Sequence, residues 1–230
     1  MSKTGEKKDR GYWIVRATFD WIYRLVARVQ VVGRENLEVD GSCLVVVNHF
    51  SVFDPPLLGT LLPRRSWAMA AEKYRRHPLF GPILHLTGVI FVRRGTVDRR
   101  ALGAALKVLR SSGVVVLAPE GTRSKTGQLQ QAKEGAAYLA SRTDPTIVPV
   151  AITGTEKMIE ALKHLRRERV RVVVGEPFRL PPAGGPVKGP QLTAYTDLIM
   201  CRMAALLPES YRGFYRDRCA SDGTPLPTEI

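Results

Sequence analysis

The sequence predicts an α/β fold: a single layered domain with a largely parallel or mixed central sheet flanked by helices, preceded by an amphipathic N-terminal helix. Three observations predict it. Short, nearly unbroken apolar runs rich in valine and isoleucine recur along the chain, as strands buried on both faces require. Segments of helical periodicity separate them, so strands and helices alternate. With 230 residues and 44% hydrophobic content, the chain supports one compact core, and its length is that of one to one and a half typical domains.

Residues 1–10 are polar and expected to be loose. Over 12–29, Arg16, Asp20, Arg24 and Arg28 recur every fourth position and make one polar stripe. Trp13, Ile14, Ala17, Trp21, Ile22, Leu25, Val26 and Val29 fill most of the remainder. Trp13, Trp21, Tyr12 and Tyr23 suit a headgroup boundary and the arginines suit anionic lipid, which describes a helix lying in a membrane interface. An ordinary amphipathic helix packed on its own domain reads the same way. Val29–Val32 and Cys43–Val47 are expected as strands, Leu57–Leu62 as helix, Trp67–Ala70 as strand and Leu79–Leu86 as helix. Val89–Val92 follows as strand, Val97–Leu109 as helix, Val114–Leu117 as strand, Ala132–Ser141 as helix and Ile147–Ile152 as strand. Lys157–His164 is expected as helix, Val170–Val174 as strand, the Pro- and Gly-rich 181–190 as loop and Thr193–Leu206 as a closing helix. The organisation expected is therefore an interfacial segment at 1–29, the α/β domain at 30–216 and a frayed tail at 217–230.

Thirty-five basic residues against 21 acidic give a net charge of +14. That balance favours nucleic acid, an anionic membrane or phosphate-bearing substrates. The charges are spread over many elements and no nucleic-acid motif or stacking-aromatic signature is present, so nucleic acid is not expected as a partner. Cys43, Cys201 and Cys219 are an odd count at no metal-like spacing. They suggest neither a disulfide framework nor a metal site, and a reducing compartment is the plain reading. No signal peptide is visible, and no run of roughly 18 apolar residues predicts a spanning helix.

Two strand ends carry chemistry. The first, Val45-Val46-Val47-Asn48-His49-Phe50-Ser51-Val52-Phe53-Asp54-Pro55-Pro56, leaves a buried strand at Asn48, where open α/β sheets gather ligands. A carboxylate five residues past a histidine, across a strand-to-helix turn, can take one imidazole N–H. It thereby fixes the tautomer and frees the other nitrogen as a general base. Asp54 before Pro55 also reads as a helix N-cap. Ser51 lacks a nucleophile elbow and reads as a turn residue. The second strand end, Val114 to Ser124, passes through Pro119-Glu120-Gly121-Thr122-Arg123, where glycine permits a left-handed backbone and Arg123 offers a planar fork for phosphate. Between them, Gly88-Val89-Ile90-Phe91-Val92-Arg93-Arg94 ends a strand in paired arginines.

Taken in order, Asn48 to Asp54, Gly88 to Arg94, Pro119 to Ser124 and Val148-Pro149-Val150 resemble the four ordered blocks of the glycerolipid acyltransferases, on the 1-acylglycerol-3-phosphate acyltransferase branch. The resemblance covers roughly residues 30–178. It implies an acyl-CoA or acyl-carrier-protein donor, a lysophosphatidic acid acceptor and no cofactor or metal. It further implies His49 as general base, Asp54 as its orienter and direct attack on the thioester without a covalent acyl-enzyme. Arg93, Glu120, Gly121, Thr122 and Arg123 would hold the acceptor phosphate. Asn48, Ser51, Gly88 and Phe91 would support the site, and Pro149 would line the acyl or core side. The implied location is the cell membrane, peripheral or monotopic on its cytoplasmic face. Phe50, Ala118 and the displaced lysine in Ala70-Ala71-Glu72-Lys73 depart from the family pattern. They leave glycerol-3-phosphate, another lysophospholipid or an amino-lipid open as acceptor. A non-catalytic basic membrane binder is the remote alternative.

Overall fold

The structure is a computed structural model that describes residues 3–226, with side chains from Arg10 onward. Seven strands form one sheet in the order β1-β7-β6-β2-β5-β3-β4. They are β1 (Ala27–Val32), β2 (Cys43–Val47), β3 (Ser66–Ala71), β4 (Ile90–Val92), β5 (Val114–Leu117), β6 (Thr146–Thr153) and β7 (Glu168–Val174). All pairings are parallel except β6 with β7. The helices are α1 (Lys3–Val26), α2 (Asp54–Leu61), α3 (Phe80–Thr87), α4 (Arg99–Arg110), α5 (Gly135–Thr143), α6 (Met158–Lys163) and α7 (Pro190–Ala204).

The central strand β2 is buried at every position, and its alternation sorts the core into two layers. Cys43, Val45 and Val47 face a cluster with Tyr23, Leu57, Leu58 and Met158. Leu44 and Val46 face the opposite cluster, with Ala101, Ala105, Leu109, Leu139 and Ile199. Alanines on α4 and α5 let these helices approach the sheet closely, and Asp98 caps α4 by accepting from Ala101 N at 3.1 Å. Beyond the sheet's carboxyl edge, Phe50, Met200, Met203 and Tyr215 form a third cluster.

Several expectations are corrected. The first helix begins at Lys3 and ends at Val26; Lys, Glu and Arg are good helix formers, and residues 3–10 carry no proline to stop it. Arg28 consequently lies on β1, off the supposed polar stripe. Arg16 is turned inward, donating to Thr60 O at 3.0 Å. Tyr12 and Tyr23 are buried, bonded to Ser66 Oγ and Phe53 O at 3.2 and 2.6 Å. Burial, with the charge of Asp54 adding to it, pushes the Tyr23 phenol well above its usual range. Trp13, Ile14, Trp21 and Leu25 are large apolar residues that the helix leaves exposed.

The cysteine reading is also overturned, because Cys201 and Cys219 form a disulfide and only Cys43 is free. Count and spacing say nothing about which side chains meet once a tail packs on a helix. That tail is not frayed over its described part: Ala220 N donates to Thr224 O and Leu226 N to Arg218 O, each at 2.8 Å. Residues 227–230 lie outside the described residues. Among the described residues, no helix is long and apolar enough to cross a membrane.

Candidate active site

The site forms where β2 and β5 end side by side. Asn48, the first residue past β2, is fully buried. Its amide donates to Ile152 O at 2.8 Å and accepts from Ile152 N at 2.7 Å. This side-chain bridge to β6 ends the strand ladder without leaving a buried backbone group unsatisfied. His49 follows, with its backbone caught on both sides. Its N–H donates to Glu120 Oε1 at 2.9 Å, and its carbonyl accepts from Ser124 N at 2.8 Å.

Asp54 is the first residue of α2, yet it does not cap that helix. The carboxylate turns back instead. Oδ2 accepts from Phe50 N at 2.8 Å and Ser51 N at 2.7 Å, and Oδ1 accepts from the Thr155 hydroxyl. His49 Nδ1 stands 3.3 Å from Oδ2. Since an ionised carboxylate only accepts, Nδ1 carries the hydrogen and Nε2 keeps its lone pair. The Asp54 side chain is 1% exposed and the His49 ring 16%. The carboxylate is thus sealed and saturated while the ring reaches solvent. The 3.3 Å separation is at the long end of hydrogen bonding and would shorten as the ring gains charge.

Glu120 has a different task from the one expected. It is buried, and its Oε2 accepts from Gln130 N at 3.0 Å while Oε1 holds His49. Burial pushes its carboxyl above the usual range, and the hydrogen bonds from His49 and Gln130 pull against that shift. A carboxylate so engaged positions the backbone of His49 and is not available to phosphate. Gly121 has φ 71°, as the turn requires. Its N–H is taken by Ala118 O at 3.0 Å, so that amide is not open to an oxyanion.

A cleft of about 990 Å³ opens beside His49 and runs between β3, β4, β5, α4 and α5. Its walls include Met69, Leu102, Leu106, Leu139 and Leu192, with His49, Asp54, Arg94, Gly121 and Lys133 toward the polar side. The paired arginines separate here. Arg93, Arg94 and Arg123 are all exposed, but of the three only Arg94 lines the cleft, its Nη1 reaching Thr122 Oγ1 at 3.5 Å. Both arginines of the pair follow the end of β4 at Val92, so the turn after the strand, and not strand alternation, sets which of them faces the cleft. Thr122 sits at the rim through that contact.

The remaining residues are structural. Gly88 ends α3 in the left-handed region at φ 71°. Phe91 on β4 carries Arg75 over its ring at 5.3 Å, and Ser51 belongs to the turn, its Oγ accepting from Phe53 N at 3.4 Å. Pro149 pairs with Val46 inside the sheet and is on the core side.

Sequence reasoning missed Thr155, Gln130 and Lys133, and it singled out the Arg93–Arg94 pair without telling which of the two lines the cleft. For Thr155, 101 residues from Asp54, no local signal existed.

A base-and-carboxylate turn at the carboxyl edge of a mostly parallel sheet, beside an apolar cleft, defines a class. The family model described as Acyltransferase matches residues 28–153, more than half of the chain, and the chain belongs to that family. Among relatives, 1-acyl-sn-glycerol-3-phosphate acyltransferase beta of Homo sapiens is 33% identical over 141 residues, 60% of this chain and 50% of that protein. The 1-acyl-sn-glycerol-3-phosphate acyltransferase of Saccharomyces cerevisiae is 29% identical over 161 residues, 66% of this chain and 52% of that protein. The chain therefore spans about half the length of the curated relatives it matches. The crystal structure of the 1-acyl-sn-glycerophosphate acyltransferase PlsC from Thermotoga maritima aligns with TM-score 0.66 at 25% identity, covering 85% of this chain and 79% of that one.

Proposed function

We propose that the protein transfers a fatty acyl group from acyl-CoA or acyl-carrier protein to the sn-2 hydroxyl of lysophosphatidic acid, giving phosphatidic acid. The observation that carries this reading is the His49–Asp54 pair. Both carboxylate oxygens are held by the protein, and the imidazole faces a cleft large enough for a lipid chain.

In this reading His49 Nε2 takes the acceptor's hydroxyl proton. The resulting alkoxide attacks the thioester carbonyl, and the tetrahedral intermediate expels the thiolate by breaking the C–S bond. The imidazolium then returns the proton to that sulfur. Asp54 stabilises the imidazolium without itself being protonated. Base catalysis of this kind is worth roughly 10²–10⁴ in rate. Arg94 and the Gly121–Thr122 turn receive the phosphate, and the apolar walls receive an acyl chain. No cofactor enters the reaction as written.

The acceptor and product are lipids, and we place the enzyme on an anionic membrane surface as a peripheral or monotopic protein. The outward side of α1 supports this through exposed Trp13, Ile14, Trp21 and Leu25. On α3, which packs beside α1, Leu79, Phe80 and Leu86 are exposed as well. The net charge of +14 adds attraction of about 1 kcal/mol for each Lys or Arg near an anionic leaflet. Leu57, Leu58 and Leu62 are buried and take no part.

The decisive experiment follows thiol release from acyl-CoA and acyl-carrier protein against a panel of acceptors. The panel holds lysophosphatidic acid, glycerol-3-phosphate, another lysophospholipid and an amino-lipid. Preference for a phosphate-free acceptor would end the reading. For the membrane, Trp21→Glu with Leu25→Glu should abolish flotation with anionic vesicles. Deleting residues 1–29 is a poorer test, because it also removes the Tyr23 bond to the catalytic turn at Phe53.

A further inference from the structure

Lys133 is fastened to the turn that runs from Pro119 to Ser124, and its ammonium is left unpaired among the described residues. Its backbone N–H donates to Pro119 O at 2.9 Å. Its stem runs over Gly121: a Cβ on that glycine would stand 3.1 Å from Lys133 Cδ, 3.2 Å from Cε and 3.5 Å from Nζ. Glycine at 121 thus serves the turn and also leaves a lane for the lysine. Among the described residues, the ammonium makes no hydrogen bond or ion pair.

Neighbouring charges are committed elsewhere. Arg75 and Arg100 pair with Glu72. The acids lining the cleft face other donors: Asp54 holds the catalytic turn, Asp98 accepts from Arg93 N and Ala101 N, and Glu134 accepts from Thr193 Oγ1 at 3.0 Å. On the far side of the turn, Arg94 touches Thr122. The Gly121–Thr122 turn thus has Lys133 against Gly121 and Arg94 at Thr122, while the adjoining acid, Glu120, is turned to His49 N and Gln130 N.

We propose that Lys133 holds the phosphate monoester of the lipid acceptor, opposite Arg94, and makes the site select phosphate-bearing acceptors. This rests on the acyl-transfer reading above. The acceptor is favoured over the phosphates of CoA on covalent reach. The turn that carries Lys133 also holds the backbone of His49, through Glu120 and Ser124. In the acceptor, the reacting hydroxyl and the phosphate sit on adjacent carbons. In CoA, the long pantetheine arm separates the thioester from every phosphate.

The test is steady-state kinetics of the full chain with Lys133→Gln and Lys133→Arg, varying lysophosphatidic acid and acyl-CoA in turn. Losing one charge-assisted contact should raise KM for lysophosphatidic acid roughly ten- to hundredfold, with a smaller change in kcat. The acyl-CoA KM should move less than about twofold, and Lys133→Arg should recover most of the acceptor KM because the charge remains. Thermal melts matched to wild type tie the change to binding, and the arginine variant keeps the charge test if the glutamine variant folds poorly. A KM for lysophosphatidic acid unchanged in Lys133→Gln overturns the proposal, and so does a rise confined to acyl-CoA. A wild type that acylates lysophosphatidic acid with dependence on His49, alongside an indifferent Lys133→Gln, removes Lys133 alone. A wild type inactive on lysophosphatidic acid removes the functional reading and Lys133 with it.

Discussion

His164 and Glu160 on α6 approach to 3.0 Å, whereas His49 and Asp54, across the turn after β2, stand 3.3 Å apart. The shorter pair is the less capable one. His164 and Glu160 are 59% and 62% exposed, and Glu160 is shared with Lys163. Such a pair is screened, mobile and worth about 0–1 kcal/mol. Asp54 has no freedom to move, because two backbone amides and the Thr155 hydroxyl hold it before the histidine is considered. In the proposed reaction its charge is oriented in advance toward the imidazolium that forms, which costs no reorganisation at that moment. Distance alone does not suit a pair to the base catalysis proposed above; an immobile, desolvated acceptor behind the ring and an open cleft before it do.

The largest effect separates the two histidines. His49→Ala should lower kcat by roughly 10²–10⁴, while His164→Ala should match wild type in the same thiol-release assay. Equal losses would break the distinction. Next come the carboxylates. Asp54→Asn turns donors toward the amides of Phe50 and Ser51, and is expected to cost about 10² or more in kcat and roughly 2–3 kcal/mol in urea unfolding. Glu160→Gln should leave both unchanged.

Glu120 sharpens the comparison through pH. Its folded carboxyl is raised by burial, so the folded state holds its proton to higher pH than the unfolded chain does. Its contribution to stability is full below the ordinary carboxylate range and is lost as pH rises through the raised folded value. Glu120→Gln cannot ionise. The stability of wild type relative to this variant should therefore fall as pH increases from about 4, read by urea unfolding across a pH series. The variant's single acceptor oxygen must also serve both His49 N and Gln130 N, so its kcat should drop severalfold. Thr155→Val is the mildest change. It removes one of the carboxylate's anchors, costs about 1–3 kcal/mol and lowers kcat less than Asp54→Asn, because both amide anchors persist.

Much of this arrangement was legible. The strands were readable because a buried parallel sheet needs continuous apolar runs, and Cys43–Val47 and Val114–Leu117 match the observed β2 and β5 without a residue of difference. His49 and Asp54 were readable because they lie five residues apart in one turn. The lining of the cleft was read less well, since Arg93 and Arg123 look equivalent in a string of letters to Arg94 and Lys133, which do line it. Cys201 and Cys219 were misread for a similar reason: their meeting depends on how the chain after α7 folds back.

By itself, then, the sequence determined the α/β architecture and the meeting of His49 and Asp54 in one turn. Both follow from periodicity and from groups close along the chain, where bond geometry limits what can happen. Only the tertiary structure decided what holds Asp54, what Glu120 is for, which arginine enters the cleft and which side of α1 faces outward. Those outcomes depend on contacts between segments up to about a hundred residues apart, such as Asp54 with Thr155 and Asn48 with Ile152, and they exist only once the sheet is assembled.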